Sequence, residues 1–335
     1  MKKYNFAIVG VTGLVGRTFL KVLEEKNLPI ENLYLLASKK SAGSEVEFMG
    51  KKYIVEELTE KSFDKPIDFA LFSAGSGISK NYAPIAAKKG IMVIDNSSAW
   101  RMDETVPLIV PEVNIEEVEN CKGIIANPNC STIQAVVALK PLHDKYKIKR
   151  IVYSTYQSVS GAGKNGQLDL ERTLKGEKPE KFQYPIANNC LPQIDVFCEN
   201  GDTFEEQKMI NETRKILKDE NLKITATAVR VPVMKCHGEA INVEFYEDFD
   251  LKELVELLKS AESVVVQNDI ENLQYPLATE CADKNDVYVG RIRRDESVDS
   301  GINMWVVADN IRKGAATNAV QIAEKIIAGG YSPKS

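Results

Sequence analysis

The chain of 335 residues is 44% hydrophobic and 27% charged, with a formal net charge of -5. This composition is globular, long enough for two domains with their own cores, and gives no electrostatic reason to expect nucleic acid. Six cysteines (Cys121, Cys130, Cys190, Cys198, Cys236, Cys281) form no CxxC pair and only two histidines, His143 and His237, are present; this argues against a metal site or a disulfide framework and fits a reducing cytoplasm.

Met1-Lys2-Lys3 ahead of Phe6-Ala7-Ile8-Val9-Gly10-Val11 has the outline of a short signal peptide. The apolar run is too glycine-rich, however, and Arg17 interrupts it without a small-residue cleavage site, so it reads as a first buried strand. No stretch approaches the apolar length of a membrane span, and the expectation is a soluble cytoplasmic protein with no membrane partner. The strand ends in Gly10-Val11-Thr12-Gly13-Leu14-Val15-Gly16, after which Val15, Phe19, Val22 and Leu23 recur as one helix face that stops near Asn27 and Pro29. In a strand–turn–helix context Gly10 permits the tight turn, Gly13 lets backbone approach a pyrophosphate, and Gly16 allows helix to pack on strand. The alternative is an ordinary strand-to-helix turn.

A second strand, Leu33-Tyr34-Leu35-Leu36-Ala37, runs into Ser38-Lys39-Lys40-Ser41. An NAD site would place an acid there for the ribose hydroxyls; hydroxyls and lysines suit a 2′-phosphate better, so NADP is favoured over the reading of a solvated basic loop. Further strands are expected at Phe69-Ala70-Leu71-Phe72, Met92-Val93-Ile94 and Ile124-Ile125-Ala126, the first two followed by the small polar loops Ser73-Ala74-Gly75-Ser76 and Asp95-Asn96-Ser97-Ser98. Strands alternating with helices imply a doubly wound parallel sheet with a ligand crevice at its carboxyl edge.

Asn127-Pro128-Asn129-Cys130-Ser131-Thr132 then sets a cysteine where a loop enters the helical segment Ile133-Gln134-Ala135-Val136-Val137-Ala138-Leu139. The positive end of a helix dipole favours thiolate, and its unpaired N–H groups can stabilise an oxyanion. Alone, the segment fits an inert buried cysteine as well. Beyond about residue 150 the pattern changes to alternating strands. Ile151, Tyr153, Thr155 and Gln157 share a face, as do Ile241, Val243 and Phe245; Tyr288-Val289-Gly290-Arg291-Ile292 and Met304-Trp305-Val306-Val307 add two more. With helices over 204–218 and 251–260, this predicts a mixed, largely antiparallel sheet covered on one face, whose other face suits a dimer. A final amphipathic helix over 315–327 is expected to return to the first domain.

Several pieces of this half carry chemistry. Gln157 precedes the small-residue loop Ser158-Val159-Ser160-Gly161-Ala162-Gly163, which can approach a ligand closely. Arg230 and His237 share one segment; a guanidinium clamps carboxylates, and an imidazole moves protons near neutral pH. Glu205 and Lys208 share a helix face, where they either hold an amine and an oxyanion or form a solvated surface salt bridge. His143, in a charged stretch, reads as structural.

These motifs together resemble the aspartate-semialdehyde dehydrogenase family across nearly the whole chain. They are Gly10–Gly16, Asn96-Ser97-Ser98-Ala99-Trp100-Arg101-Met102, Asn127–Thr132, Tyr156–Gly163, Arg230 with His237, and Ala308-Asp309-Asn310-Ile311-Arg312-Lys313-Gly314-Ala315-Ala316. The resemblance implies a glyceraldehyde-3-phosphate-dehydrogenase-like fold: an NADP-binding Rossmann-type domain over 1–128, an α+β catalytic and dimerisation domain over 129–311, and a helix over 312–335 packing back on the first. It implies reversible, NADPH-dependent conversion of L-aspartyl-4-phosphate to L-aspartate 4-semialdehyde and phosphate through a cysteine thioester, in lysine, threonine and methionine biosynthesis. Cys130 would be the nucleophile, His237 the acid/base, and Gln157 would orient the intermediate. Arg230 would hold the substrate carboxylate, Glu205 its amine, Arg101 and Lys208 the phosphate, with Asn129 lining that region. The implied NADP contacts are Gly10, Thr12, Gly13, Leu14, Val15, Gly16, Ser38, Lys40, Ser41, Ala74, Gly75, Ser160, Gly161, Gly163 and Asn310. No metal is implied, and a homodimer or homotetramer is expected. Ser38–Ser41 departs from the family, where an arginine commonly meets the 2′-phosphate.

Among rivals, an N-acetyl-glutamyl-phosphate reductase would share fold and thioester logic, but its acylated nitrogen leaves no use for a charged Glu205. Short-chain dehydrogenases need Tyr-x-x-x-Lys, which is absent. A silent NADP-binding regulator would not need Cys130, Gln157, Arg230 and His237 together.

Overall fold

The structure, a computed structural model, describes residues 2–329. It divides into two compact units, one made of the chain up to Asn129 with the stretch from Ala315 onward, the other Cys130–Gly314.

In the first unit, short apolar runs ending in glycine or polar turns become parallel strands. β1 (Tyr4–Val9), buried from Phe6 onward, turns at Gly10 into α1 (Leu14–Glu25), whose Gly16, Phe19, Leu20, Val22 and Leu23 are buried. β2 (Ile30–Ala37) follows, then a hairpin of β3 (Glu45–Phe48) and β4 (Lys51–Ile54), and a short β5 (Glu56–Glu57). β6 (Phe69–Phe72), α2 (Ser76–Lys88), β7 (Met92–Asp95), α3 (Pro111–Asn114) and β8 (Ile124–Ala126) complete the alternation. The sheet runs β5-β2-β1-β6-β7-β8, every pairing parallel. The chain leaves β1 on one side towards β2 and resumes on the other at β6. Strand order therefore reverses at β1, where a doubly wound sheet opens its ligand crevice.

The second unit opens with α4 (Cys130–Tyr146), buried at every position from Ser131 to Leu139. A helix exposed nowhere along that stretch belongs at the centre of a core. It leads into β9 (Ile148–Gln157), α5 (Gly163–Leu174), α6 (Phe204–Leu217) and β10 (Lys223–Arg230). α6 starts in a capping box in which Thr203 and Glu206 satisfy each other's backbone N–H groups. β11 (His237–Phe245), α7 (Leu251–Ser260), β12 (Val264–Val266), α8 (Ala278–Cys281), β13 (Val287–Arg294) and β14 (Gly301–Ala308) follow. The sheet order is β10-β9-β11-β14-β13-β12. Both outer pairings are parallel and the inner ones antiparallel. Register sets Tyr153 beside Ile241 and Ile151 beside Val243, so the expected alternating faces meet under α4, α6 and α7.

The last helix differs from its expected course. Arg312–Thr317 winds as a π-helix, with Gly314 N–H donating to Asp309 O at 3.0 Å, before α9 (Asn318–Ile327) begins. The wide turn falls where Gly314 runs against Cys130: a methyl group on that glycine would lie 2.9 Å from the Cys130 Cβ. Ala316, Ala319, Val320, Ile322 and Ala323 join the first unit's core with Phe6, Ile8 and Phe19. Residues 330–335 of the expected terminal segment lie outside the described residues. Among the described residues, no helix is long and apolar enough to cross a membrane.

Candidate active site

The strand pattern of the second unit brings distant residues to one sheet edge. β9 and β10 are parallel neighbours in which Gln157 pairs with Arg230, each the last residue of its strand. β11 runs antiparallel to β9 and begins there with His237. Cys130, half-buried, is the first residue of α4.

Hydrogen bonds fix these side chains. Gln157 accepts from Thr155 Oγ1 at 3.1 Å and donates through Nε2 to Glu205 Oε1 at 3.0 Å. Lys208 Nζ reaches Glu205 Oε2 at 3.2 Å and Asp195 Oδ2 at 2.8 Å. The Glu205–Lys208 pair is therefore no solvated surface bridge, since Glu205 is buried. Burial works against the Lys208 ammonium, but Glu205 and Asp195 outweigh it and raise its pKa. Arg230, also buried, donates through Nη1 to Ser158 O at 2.7 Å. Burial lowers its pKa, opposed by Glu205 and Cys130, which places the guanidinium in electrostatic reach of the sulfur.

His237 is fully buried. The Ser158 backbone N–H donates to its Nδ1 at 3.0 Å, with Ser158 Oγ 3.2 Å from the same nitrogen. A backbone N–H can only donate, so Nδ1 is the acceptor and the neutral ring carries its proton on Nε2. Burial, then the Arg230 charge, pull its pKa down to about 3, so the ring is neutral near physiological pH. Nε2 lies 3.5 Å from Gln157 Nε2.

Asn310 organises the adjoining loop. Its Oδ1 accepts from Ser158 Oγ at 3.1 Å, Ser160 Oγ at 3.0 Å and Cys236 N at 3.1 Å. Its Nδ2 is buried without a partner, a donor that a bound carboxamide would satisfy. Gly161 lies over the imidazole and guanidinium: a methyl group there would come 2.7 Å from Arg230 Nη1 and 3.3 Å from His237 Nε2. Gly163 opens α5 with φ +75.

The remaining expected residues belong to the first unit. Gly10 has φ +88, and a methyl on it would meet Ser73 O at 2.4 Å; one on Gly16 would meet Gly10 O at 2.2 Å. Gly13 precedes α1 and Gly75 precedes α2, neither helix having a side-chain cap, so both present backbone N–H groups of the kind that receive phosphate. Thr12, Leu14 and Val15 are partly exposed along the same turn, as is Ala74 beside Gly75. Ser38 and Lys40 are exposed past the end of β2, and Ser41 N–H closes a turn on Ser38 O at 2.8 Å. This glycine cradle and the unpartnered Asn310 amide both suit a nicotinamide dinucleotide. Arg101 is buried and donates to Asn127 O and Asn96 O, each at 3.0 Å; Asn129 is buried as well.

Sequence reasoning gave no individual role to Ser158 or Gly314. Ser158 acts through its backbone, which no residue type announces. Gly314 was present in the Ala308–Ala316 motif, yet only folding reveals that it leaves room for Cys130.

Two family profiles match the chain: the semialdehyde dehydrogenase NAD binding domain over residues 5–121 and the semialdehyde dehydrogenase dimerisation domain over 139–313. An aspartate-semialdehyde dehydrogenase of Aquifex aeolicus (strain VF5) is 55% identical, covering 98% of this chain and 99% of its own. That of Campylobacter jejuni subsp. jejuni is 51% identical over 97% of both chains. The crystal structure of aspartate semialdehyde dehydrogenase II from Vibrio cholerae superposes with a TM-score of 0.94 at 46% identity, covering 98% of this chain and 99% of that one, and the same enzyme has been solved complexed with ASA. By identity, length and fold, this chain belongs to the aspartate-semialdehyde dehydrogenase family.

Proposed function

We propose that this chain catalyses the reversible, NADPH-dependent reductive dephosphorylation of L-aspartyl-4-phosphate to L-aspartate 4-semialdehyde and phosphate, in the cytoplasm, on the route to lysine (through diaminopimelate), threonine and methionine. The observation that carries this reading is one buried cluster joining a helix-start cysteine, a neutral histidine, a carboxylate and an arginine, in a chain of this family. The first unit holds the nucleotide through its glycine cradle, Ser38, Lys40 and Ser41; within the second unit, Asn310 offers an amide donor suited to a carboxamide.

Cys130 Sγ attacks the acyl-phosphate carbon. The C–S bond forms, the C–O bond to phosphate breaks, and a thioester remains on the protein. The start of α4 and the Arg230 guanidinium favour negative charge at that sulfur. A bound NADPH supplies the hydride that reduces the thioester carbon. The resulting oxyanion accepts a hydrogen bond from His237 Nε2–H, then collapses: C=O reforms, the C–S bond breaks and Cys130 leaves as thiolate. No proton has to cross this step, so a neutral imidazole suffices, and His237 serves as a fixed donor rather than a titrating acid. Gln157, held by Thr155 and Glu205, orients the intermediate. Arg230 clamps the α-carboxylate, Glu205 the ammonium, and Arg101 and Lys208 the phosphate beside Asn129. A buried carboxylate suits a free ammonium and not an N-acetyl group, which separates aspartyl from N-acetyl-glutamyl phosphate.

The dimerisation domain makes the chain an oligomer. The second copy covers the face of the mixed sheet away from α4, where Val152, Ala240, Asn303 and Trp305 line a cavity of about 510 Å³. A pair of such dimers would give a tetramer.

Phosphate-dependent reduction of NADP by aspartate semialdehyde, beside Cys130→Ala and an NAD comparison, tests the reading. Activity that disappears in the variant supports substrate, nucleophile and reaction class together. Inactivity of folded wild type, with turnover of N-acetyl-glutamate semialdehyde, would overturn the substrate. Equal use of NAD would overturn only the role of Lys40.

A further inference from the structure

Glu239 has no part in the chemistry above, yet it lies two residues from His237 on the same face of β11. It is fully buried, and neither carboxyl oxygen makes a hydrogen bond of ordinary geometry. Its strand neighbours in register are Thr155 on β9 and Val306 on β14. The groups that act on it come from three other elements: Ser131 in the first turn of α4, Glu205 on α6 and Tyr153 on β9. None is a cation. Glu205 takes the available partners, Lys208 and Gln157, for itself.

Two carboxyl groups thus share one buried floor with cationic support for only one. The supported one, Glu205, is the ionised member. An ionised Glu239 would be a second, uncompensated negative charge, which burial penalises. Burial, and then Glu205, push the Glu239 carboxyl well above the usual carboxylate range, with Ser131 alone pulling the other way. A neutral carboxylic acid is a hydrogen-bond donor, and α4 presents acceptors. Ser131 directly follows Cys130. One turn along, Gln134 donates to His237 O at 3.3 Å while its own Oε1 stays buried without a partner.

We propose that Glu239 is a positioning residue which remains a neutral carboxylic acid and, by donating its O–H towards Ser131, holds the Cys130 end of α4 against the sheet. This rests on the function proposed above for its link to turnover, but not for its effect on the thiol. Neutrality also matters to the chemistry: a charge here would oppose a thiolate at Cys130 and an oxyanion before His237.

The variants Glu239→Gln, a neutral isostere that still donates, and Glu239→Leu, of similar volume with no donor, separate the possibilities. Three readouts are alkylation of Cys130 by iodoacetamide, followed by peptide mass spectrometry; kcat and KM for aspartate semialdehyde; and Tm from pH 5 to 9. Glu239→Gln is expected to keep alkylation and kcat within about threefold, whereas Glu239→Leu loses about tenfold or more of both with KM changed less than about twofold. The native carboxyl stays protonated where the unfolded one ionises, so wild-type stability falls as pH rises above the ordinary carboxylate range. The Tm advantage of Glu239→Gln should accordingly grow between pH 5 and 9. Wild-type alkylation and kcat in a folded Glu239→Leu would overturn the positioning role. Glu239→Gln as impaired as Glu239→Leu, or a pH-independent Tm difference, would overturn the neutral state. If wild type proved inactive on aspartate semialdehyde, the function would fall while alkylation and Tm still decided this proposal.

Discussion

In the first unit the turns proposed to hold the nucleotide are shaped by what is missing. Gly10 and Gly16 leave no room for a methyl group, and Gly13 and Gly75 lead into helices without side-chain caps. In the second unit the corresponding edge is crowded: Gln157, Glu205, Arg230 and His237 are buried and bonded to one another or to Ser158. The difference follows from the task. A dinucleotide brings its own reactive centre and negative charge, so protein backbone suffices to cradle it. Thioester chemistry needs side chains of fixed protonation state, and those are fixed by removing them from water.

That contrast can be broken most severely at Cys130. Cys130→Ser should lower turnover by about 10⁴-fold or more, because the hydroxyl is not ionised by a helix start as a thiol is; assays should confirm unchanged NADPH affinity. Arg230→Lys is expected to cost about 10²-fold in kcat/KM, since an ammonium keeps the charge but loses the fork and the bond to Ser158 O. Glycines then sharpen the comparison. Gly161→Ala, pressing on Arg230 and His237, should lower kcat by about 10- to 100-fold with little change in Tm, because Gly161 is exposed. Gly10→Ala should act the other way, lowering stability by about 1–3 kcal/mol and weakening NADPH binding, measured by thermal melts and titration. The smallest effect belongs to exposed Lys40, where Lys40→Ala should reduce the NADP-over-NAD preference by about fivefold.

A pH series probes the second unit alone. The native pKa of His237, about 3, lies below the value of an unfolded histidine, so its contribution to stability is present above pH 6.5 and is lost as pH falls towards 3. For the same reason kcat/KM of the free enzyme should show no histidine inflection near 6.5.

Much of this was legible in the sequence, for identifiable reasons. Phe69–Phe72 and Ile124–Ala126 are short apolar runs fenced by polar turns, and they form strands with those bounds. The alternation of Ile151, Tyr153, Thr155 and Gln157 marked the buried face of β9. The β3–β4 hairpin was not foreseen, because Glu45–Phe48 buries only Val46 and Phe48 and Lys51–Ile54 is mostly exposed, so each run is too short for its pattern to stand out. Nor was the π-turn at Gly314, which depends on the nearness of Cys130 in space. Chemistry-bearing residue types singled out Cys130, Gln157, Arg230 and His237 as candidates. They could not reveal that Ser158 supplies a backbone N–H, or that Glu239 and Glu205 share one floor, since those facts need strands and helices far apart in the chain to meet.

The most direct test of the central claim, that a buried neutral His237 faces the reaction as an Nε2–H donor, is nitrogen NMR of protein labelled with ¹⁵N-histidine. His143 is the only other histidine, and a His143→Gln variant leaves a single imidazole to read. The expected spectrum shows Nδ1 unprotonated and Nε2 protonated, unchanged from pH 5 to 8. A ring protonated on Nδ1, or one that titrates near 6.5, would contradict the fixed-donor role and return His237 to a proton-transferring acid and base.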